Sequence, residues 1–497
     1  MRNTSQSVLV VDLNNFARYP TMSVGYIVSI LRQAGMRVNI FSPLANGVPG
    51  MAREERAAPF GWIDSILRHR TAISSSKIIR DTRAHLVRHI ARPDRGARFR
   101  KILTAFQNTL IDHQPDVVLI STYTMYLELC KQMIEICRTH SIPVLVGGSY
   151  MNLQEIAEPW LSIEGLSGVV GGEVEPYLTK LVEAVSSSHP LSSYAGIHEP
   201  GSLTFTPTPP LQDLDALPFP DYSDFPWDRY PNRIIPMITG RGCGWGVCSF
   251  CSDVVGSIGR TYRSRSVADV MSEIGYQREQ HKSRLFVFND LKLNSNVVMW
   301  RALIDQLPVI VRNPQWTAAV HVGLDDDNGL EAEDLKAAAA AGLSRITTGL
   351  ESGSPEVLQK MSKGTELTRT TKFLKAATEA GISVRTTLIV GYPGETAEDL
   401  ALTTKFLQES SNNIDRIQMN RLSLMPGTPL TYQFQQRPKS FPNIQNMHFD
   451  AEGAEFSLEL NGITPYYRKA LSTLIKTVHK INRKKLPERA TPFKGVM

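Results

Sequence analysis

The apolar positions of this chain form two series of short runs, separated by segments of helical period. In the first third, Val8–Asp12 and Arg37–Phe41 have strand length. Between them, Val24–Ala34 repeats its apolar residues every three or four positions and stops at Gly35, a residue suited to the left-handed position after a helix. The alternation resumes with a strand over Asp116–Ile120, a helix over Met125–Thr139 and a strand over Ile142–Val146, which ends in Gly147-Gly148. Gly168–Val170 leads into Gly171-Gly172-Glu173-Val174-Glu175 and a helix to Val185. Strands alternating with helices predict an α/β fold, here a doubly wound, Rossmann-like sheet over residues 1–210. Ligands of such sheets bind beyond the carboxyl ends of the strands.

From 211 to 233 periodicity gives way to prolines and aromatics, as in Leu217-Pro-Phe-Pro-Asp-Tyr222, which predicts a linker packed across a surface. Six further strands follow, over Ile234–Thr239, Leu285–Phe288, Trp316–Val320, Arg345–Thr348, Val384–Val390 and Ile417–Leu424. Most precede helix-like sequence. This predicts a partial (β/α)6 barrel of the TIM type over 234–430, with its active face at the loops after the strands. The remainder, 431–497, is expected to be a mixed C-terminal extension covering the active site, with an amphipathic helix over Pro465–Arg483.

Composition narrows the class. With 42% apolar and 21% charged residues the chain reads as globular, and it lacks the ~18 consecutive apolar residues of a membrane span. Met1–Gln6 is polar and runs into a buried-strand pattern rather than a signal peptide, so a cytoplasmic location is expected. Net charge is only +6. Basic residues gather between Arg68 and Lys101 without interleaved aromatics before Phe99, which argues for a solvated helical insertion over a nucleic-acid surface.

The chemistry points to one place. Three of the five cysteines, Cys243, Cys248 and Cys251, stand in C-x4-C-x2-C spacing just after the first barrel strand. Three thiolates can hold an iron–sulfur cubane and leave one iron free for another ligand. A structural zinc site would want a fourth protein ligand, and no nearby histidine or cysteine supplies it. Cys130 and Cys137 lie in a helix-like stretch and read as core residues; an odd cysteine count argues against a disulfide framework.

On these residues, with Phe250 directly before the last cysteine, the sequence resembles the radical S-adenosylmethionine (SAM) superfamily, although the usual spacing is C-x3-C-x2-C. The resemblance implies a [4Fe-4S] cluster on the three cysteines and SAM chelated to the unique iron. It also implies SAM contacts at Asn289 and Asp290 after the second strand, at Glu351 and Ser352 of Gly349-Leu-Glu-Ser-Gly353, and at Gly391 of Val390-Gly-Tyr-Pro-Gly-Glu395. Leu424-Met-Pro-Gly-Thr-Pro429 follows the sixth strand, as in many relatives.

The first half is similar to the cobalamin-binding domain that precedes the barrel in one radical SAM branch. Pro115–Ser121, Pro143–Gly148, Gly171–Glu175 and Asp213–Pro218 carry that likeness. It implies cobalamin near Ser121, Thr122, Gly147, Gly148, Gly172 and Glu173. The Asp-x-His-x-x-Gly motif that supplies an axial histidine is absent, so the lower cobalt face is undefined. The resemblance as a whole implies a cobalamin-dependent methyltransferase. A 5′-deoxyadenosyl radical would activate an unactivated carbon, and methylcobalamin would supply the methyl group. The alternative on the same scaffold is a non-methylating cyclisation, rearrangement or dehydrogenation. Implied partners are a small-molecule or peptide substrate and an electron donor such as flavodoxin or ferredoxin.

Overall fold

A computed structural model describes residues 5–13, 18–50, 54, 57–72, 78–79, 82, 95–148, 150–202, 208–252, 262–325, 327–441, 444–450, 455–460 and 463–496, without the side chains of 71, 72, 95, 445–450 and 455–460. Most of the basic insertion expected between Arg68 and Lys101 lies outside the described residues. Its flanks are helices over Gly61–Ala72 and Arg95–His113.

The first sheet contains β1 (Ser7–Asp12), β2 (Arg37–Phe41), β3 (Val117–Thr122), β4 (Val144–Gly148), β5 (Gly168–Val170) and β6 (Ile197–His198), in the order β2-β1-β3-β4-β5-β6. The first five are parallel, and β6 is an antiparallel edge that the apolar pattern did not announce. A two-residue strand carries too little periodicity to read. All six residues of β1 are buried because both faces are covered. Val8 and Val10 join one core with Val24, Val28 and Leu31, whereas Leu9 and Val11 join a second with Phe106, Leu129 and Ile134. Strand order reverses between β1 and β3, which opens a crevice beyond their carboxyl ends.

The linker fastens this sheet to the next. Tyr222 packs so closely on Gly25 that a Cβ there would come within 2.5 Å of its ring. Its hydroxyl donates to the Pro236 carbonyl (3.2 Å), and Asp221 pairs with Arg32 (2.7 Å).

The second sheet contains β7 (Ile234–Met237), then β10 (Leu285–Phe288), β11 (Gln315–Val320), β12 (Leu343–Glu351), β13 (Ser383–Val390) and β14 (Arg416–Arg421). All six are parallel and adjacent in chain order, the arrangement of an incomplete barrel. A two-residue ribbon, β8 (Gly240–Arg241) with β9 (Arg263–Ser264), frames the segment that holds the cysteines. The C-terminal region adds an antiparallel hairpin, β15 (Ile444–Asp450) with β16 (Glu455–Leu460), and a helix over Pro465–Asn482. That helix lies against the helix over Ala397–Glu409, which follows β13.

Candidate active site

The cysteine loop leaves β8 at the carboxyl end of β7 and is held by the ends of four other strands. The Gly244 amide donates to Ser295 Oγ (3.1 Å) beyond β10. Trp245 stacks on His321 beyond β11, with ring centroids 5.8 Å apart, and its indole N–H donates to the Ser362 carbonyl (3.0 Å). The Ser249 amide donates to the Met361 carbonyl (2.9 Å), and Ser249 Oγ lies 2.8 Å from the Tyr392 hydroxyl. Phe250 packs into an apolar patch with Tyr392, Leu424 and Leu430.

Cys248 is buried, whereas Cys243 and Cys251 are half-buried. Among the described residues, no group of three His, Cys, Asp or Glu side chains has the geometry to hold a metal ion. Three thiols on one braced loop suit a cubane, which three cysteines can hold while one iron stays open. The donor set is soft and sulfur-only, as suits an iron–sulfur cluster. Buried Lys363 also faces Cys248 and Cys251. Burial opposes its charge, but Glu351, Cys248 and Cys251 hold its pKa above the usual lysine value. An ammonium there offsets thiolate charge.

The expected SAM residues lie around this loop in different states of commitment. Asn289 Oδ1 accepts from the Tyr19 hydroxyl of the first domain (3.2 Å). Asp290 is buried and accepts from the Thr239 amide (3.0 Å) and hydroxyl (2.7 Å). Burial pushes its carboxyl up to about 6 despite those bonds. Glu351 ends β12 at φ +60°, a conformation costly for a non-glycine residue and concentrated at functional sites. Its carboxylate accepts from Thr387 Oγ1 (2.9 Å) and faces Lys363 Nζ (3.5 Å). Ser352 Oγ accepts from the Ser354 amide (3.1 Å) and lies 3.3 Å from Thr403 Oγ1. The Gly391 amide donates to Glu395 (2.8 Å), whose carboxylate also accepts from the Tyr467 hydroxyl (2.7 Å).

Two side chains of the site carried no local signal in the sequence. Lys363 follows a short helix, and His321 follows β11 without a motif. His321 is buried, and its Nε2 has no hydrogen-bond partner among the described residues. Burial, followed by Lys363 and Lys292, lowers its pKa to about 3, so the imidazole is neutral.

In the first domain, Ser121, Gly147, Gly148 and Gly172 line one cavity of about 270 Å³ at the carboxyl ends of β3, β4 and β5. Tyr26, Val174 and Glu175 also line it. A Cβ on Gly148 would lie 2.0 Å from the Thr122 carbonyl oxygen, so only glycine fits that wall. The cavity has room for a flat ring or a ligand's tail, not a whole macrocycle. Thr122 is turned into the core, where the Cys130 thiol donates to it (3.6 Å). Glu173 is engaged away from the cavity, by Arg263 (2.6 Å) and Arg241 (3.4 Å) of the ribbon. Cys130 and Cys137 are core residues, and burial pushes both thiols up to about 12.

Residues 237–407 match the radical SAM superfamily. The chain is 28% identical over 329 residues to an uncharacterized methyltransferase, PH0819, of Pyrococcus horikoshii, covering 64% of this chain and 68% of that protein. Among solved structures it is similar to the radical SAM methyltransferase TsrM from Kitasatospora setae with tryptophan substrate and a SAM analogue bound. The identity is 16% and the TM-score 0.67, covering 95% of this chain and 89% of that one. It is also similar to the cobalamin-dependent radical enzyme OxsB with aqua-cobalamin and SAM bound, at 16% identity and TM-score 0.67, covering 92% of this chain and 65% of that one. At such identities, the likeness to TsrM and OxsB is one of fold, spanning both sheets.

Proposed function

Because residues 237–407 form a radical SAM domain, we propose that this chain is a cobalamin-dependent radical SAM methyltransferase acting at an unactivated carbon. One observation carries the reading furthest. The strand-end loop Gly171–Glu175 of the first sheet is ion-paired to the ribbon that frames the cysteine loop of the second, so two ligand-binding strand ends meet at one place. The methyltransferase of P. horikoshii and the shared two-sheet fold of TsrM and OxsB support it.

Cys243, Cys248 and Cys251 would hold the [4Fe-4S] cluster. Asn289, Glu351 and Gly391 would border SAM, with Asp290 and Ser352 shaping the strand ends from behind. Ser121, Gly147, Gly148 and Gly172 would border cobalamin. When bound, these groups would supply a carbon radical able to remove a substrate hydrogen and a transferable methyl group. The protein's own contribution is placement and exclusion of water. Asp290 fixes Thr239 at the base of the cysteine loop, Lys363 offsets negative charge, and Phe250 with Tyr392, Leu424 and Leu430 forms a dry wall. Substrate would be a small molecule or peptide, and electrons would come from a flavodoxin or ferredoxin. No helix among the described residues is long and apolar enough to cross a membrane, and a cytoplasmic location suits an oxygen-sensitive cluster.

The test is anaerobic reconstitution with iron, sulfide and hydroxocobalamin, then product analysis with methyl-labelled SAM and reductant. The reading expects bound corrin, deoxyadenosine and S-adenosylhomocysteine. Deoxyadenosine alone, from protein that retains no corrin, would replace it with a non-methylating radical reaction.

A further inference from the structure

We propose that Glu173 and Glu175 are positioning residues: with Arg241 and Arg263 they fix the distance between the two cofactor faces and so decide whether a radical, once formed, ends in methyl transfer. The inference rests on the function proposed above and gives the Gly171–Glu175 loop a role besides bordering a ligand.

The ribbon is the reason. Arg241 and Arg263 are paired across β8 and β9, so they stand side by side at the two ends of the segment that contains all three cysteines. Both guanidinium groups turn towards the first domain. Arg263 binds Glu173 through two nitrogens, at 2.6 and 3.1 Å, and donates to the Leu211 carbonyl (2.6 Å) where the linker begins. Arg241 binds Glu175 (2.7 Å) and lies 5.8 Å from the ring centroid of Tyr26 on the helix over Met22–Gln33. The Leu211 amide returns a bond to Glu173 (2.5 Å). Two acids therefore meet two bases in a closed, half-buried set that ties β5's end, the linker and the cysteine loop together.

A flexible interface would not need this chemistry. Planar guanidinium–carboxylate pairs fix angle as well as distance. The four side chains are between 10% and 23% exposed, which limits screening by salt. A reaction that joins a radical to a methyl donor held by another domain is sensitive to that separation, since a ~1 Å misplacement can cost ~100-fold in rate. Forming the radical requires only the barrel. Loosening the pairs should therefore impair transfer more than initiation.

The experiment compares wild type, Glu173→Gln, Arg263→Glu and the exchanged pair Glu173→Arg/Arg263→Glu, all as full chains. Reconstituted enzyme is scored for deoxyadenosine formed per methyl group transferred. Arg263→Glu should raise that ratio roughly ten- to a hundredfold, and the exchange should return most of it. A loss of folding alone would lower both products together and leave the ratio unmoved. If Arg263→Glu does not fold, the neutral Glu173→Gln is read in the same way. Hydrogen exchange on the unloaded chains is the second readout, where amides at 171–175 and 240–241 should lose protection together in the single variants and regain it in the exchange. An unchanged ratio in a folded variant overturns the proposal, as does an exchanged pair that restores nothing. Failure of the methyltransferase reading would appear in wild type as SAM cleavage without labelled product. Exchange alone then decides, and independent protection of the two segments overturns the coupling.

Discussion

Lys363 Nζ stands 3.5 Å from Glu351 Oε1, and the same ammonium faces Cys248 and Cys251. One buried cation thus serves both the strained end of β12 and the cysteine loop. Lys363→Met should leave the Glu351 carboxylate buried without its counter-charge, a change that typically costs ~3–5 kcal/mol. The double variant Lys363→Met/Glu351→Gln should recover most of that loss. Urea unfolding of the unloaded protein checks it, and a single variant within about 0.5 kcal/mol of wild type would show that the pair carries no net stability.

The residue after this lysine shapes the loop sterically. Gly364 adopts φ +62°, and a Cβ there would lie 2.1 Å from the Trp245 ring. Gly381 has a similar φ, +78°, with nothing within 4 Å of its added Cβ. Gly381→Ala should therefore cost only backbone strain, ~1 kcal/mol. Gly364→Ala should in addition push Trp245 off His321 and lower the iron and sulfide retained per chain after reconstitution. Equal iron content in the two variants would detach Trp245 from cluster binding.

The parallel strands were most legible where an apolar run ends in glycine or a polar turn, as Val8–Asp12 and Ile142–Gly148 show. β6 and the β8–β9 ribbon were not, since two residues hold no period. Among site residues, the cysteines announced themselves by spacing. Lys363 and His321 did not, because their importance comes from neighbours distant in sequence: Cys248 and Cys251 for the lysine, Trp245 for the histidine. Asp290 and Glu173 illustrate another limit. A carboxylate at a strand end has the same sequence signature whether its partner is a ligand or the protein's own Thr239 or Arg263.

Glu395 makes stability around the loop after β13 depend on pH. It is buried beneath the Pro465–Asn482 helix, accepts from Gly391 and Tyr467, and has its carboxyl pushed by burial from 4.5 up to about 7. The folded state therefore keeps a proton that the unfolded chain releases near 4.5. This contribution to stability is fully present below pH 4.5 and is lost as pH rises through 7, to a total of about 3 kcal/mol. Glu395→Gln keeps the acceptor oxygen and cannot ionise. Its stability relative to wild type should rise by up to that amount between pH 4.5 and 8 in denaturant titrations. A pH-independent difference would mean that the wild-type carboxyl ionises as easily folded as unfolded.

At the opposite end of the barrel, Glu54 serves cations from two strands. Its carboxylate binds Arg345 of β12, whose side chain is 1% exposed, and lies 3.6 Å from Arg416 of β14. It also accepts from the Gly495 amide (3.0 Å), while Arg345 donates to the Phe493 carbonyl (3.2 Å). One acid thereby joins the connection that follows β2, two barrel strands and the C-terminal segment. Glu54→Gln retains the size and one acceptor oxygen but takes the paired carboxylate from buried Arg345, so a loss of ~3–5 kcal/mol is expected. Because the pair is buried, the loss should persist in 1 M salt, where the screening length falls to about 3 Å. Urea titrations of both proteins at low and high salt separate the cases. A deficit that vanishes in salt would mean that the acid acts as a solvated surface charge, and the C-terminal segment would then be held by its apolar contacts, Phe493 and Val496 against Ile234 and Val287.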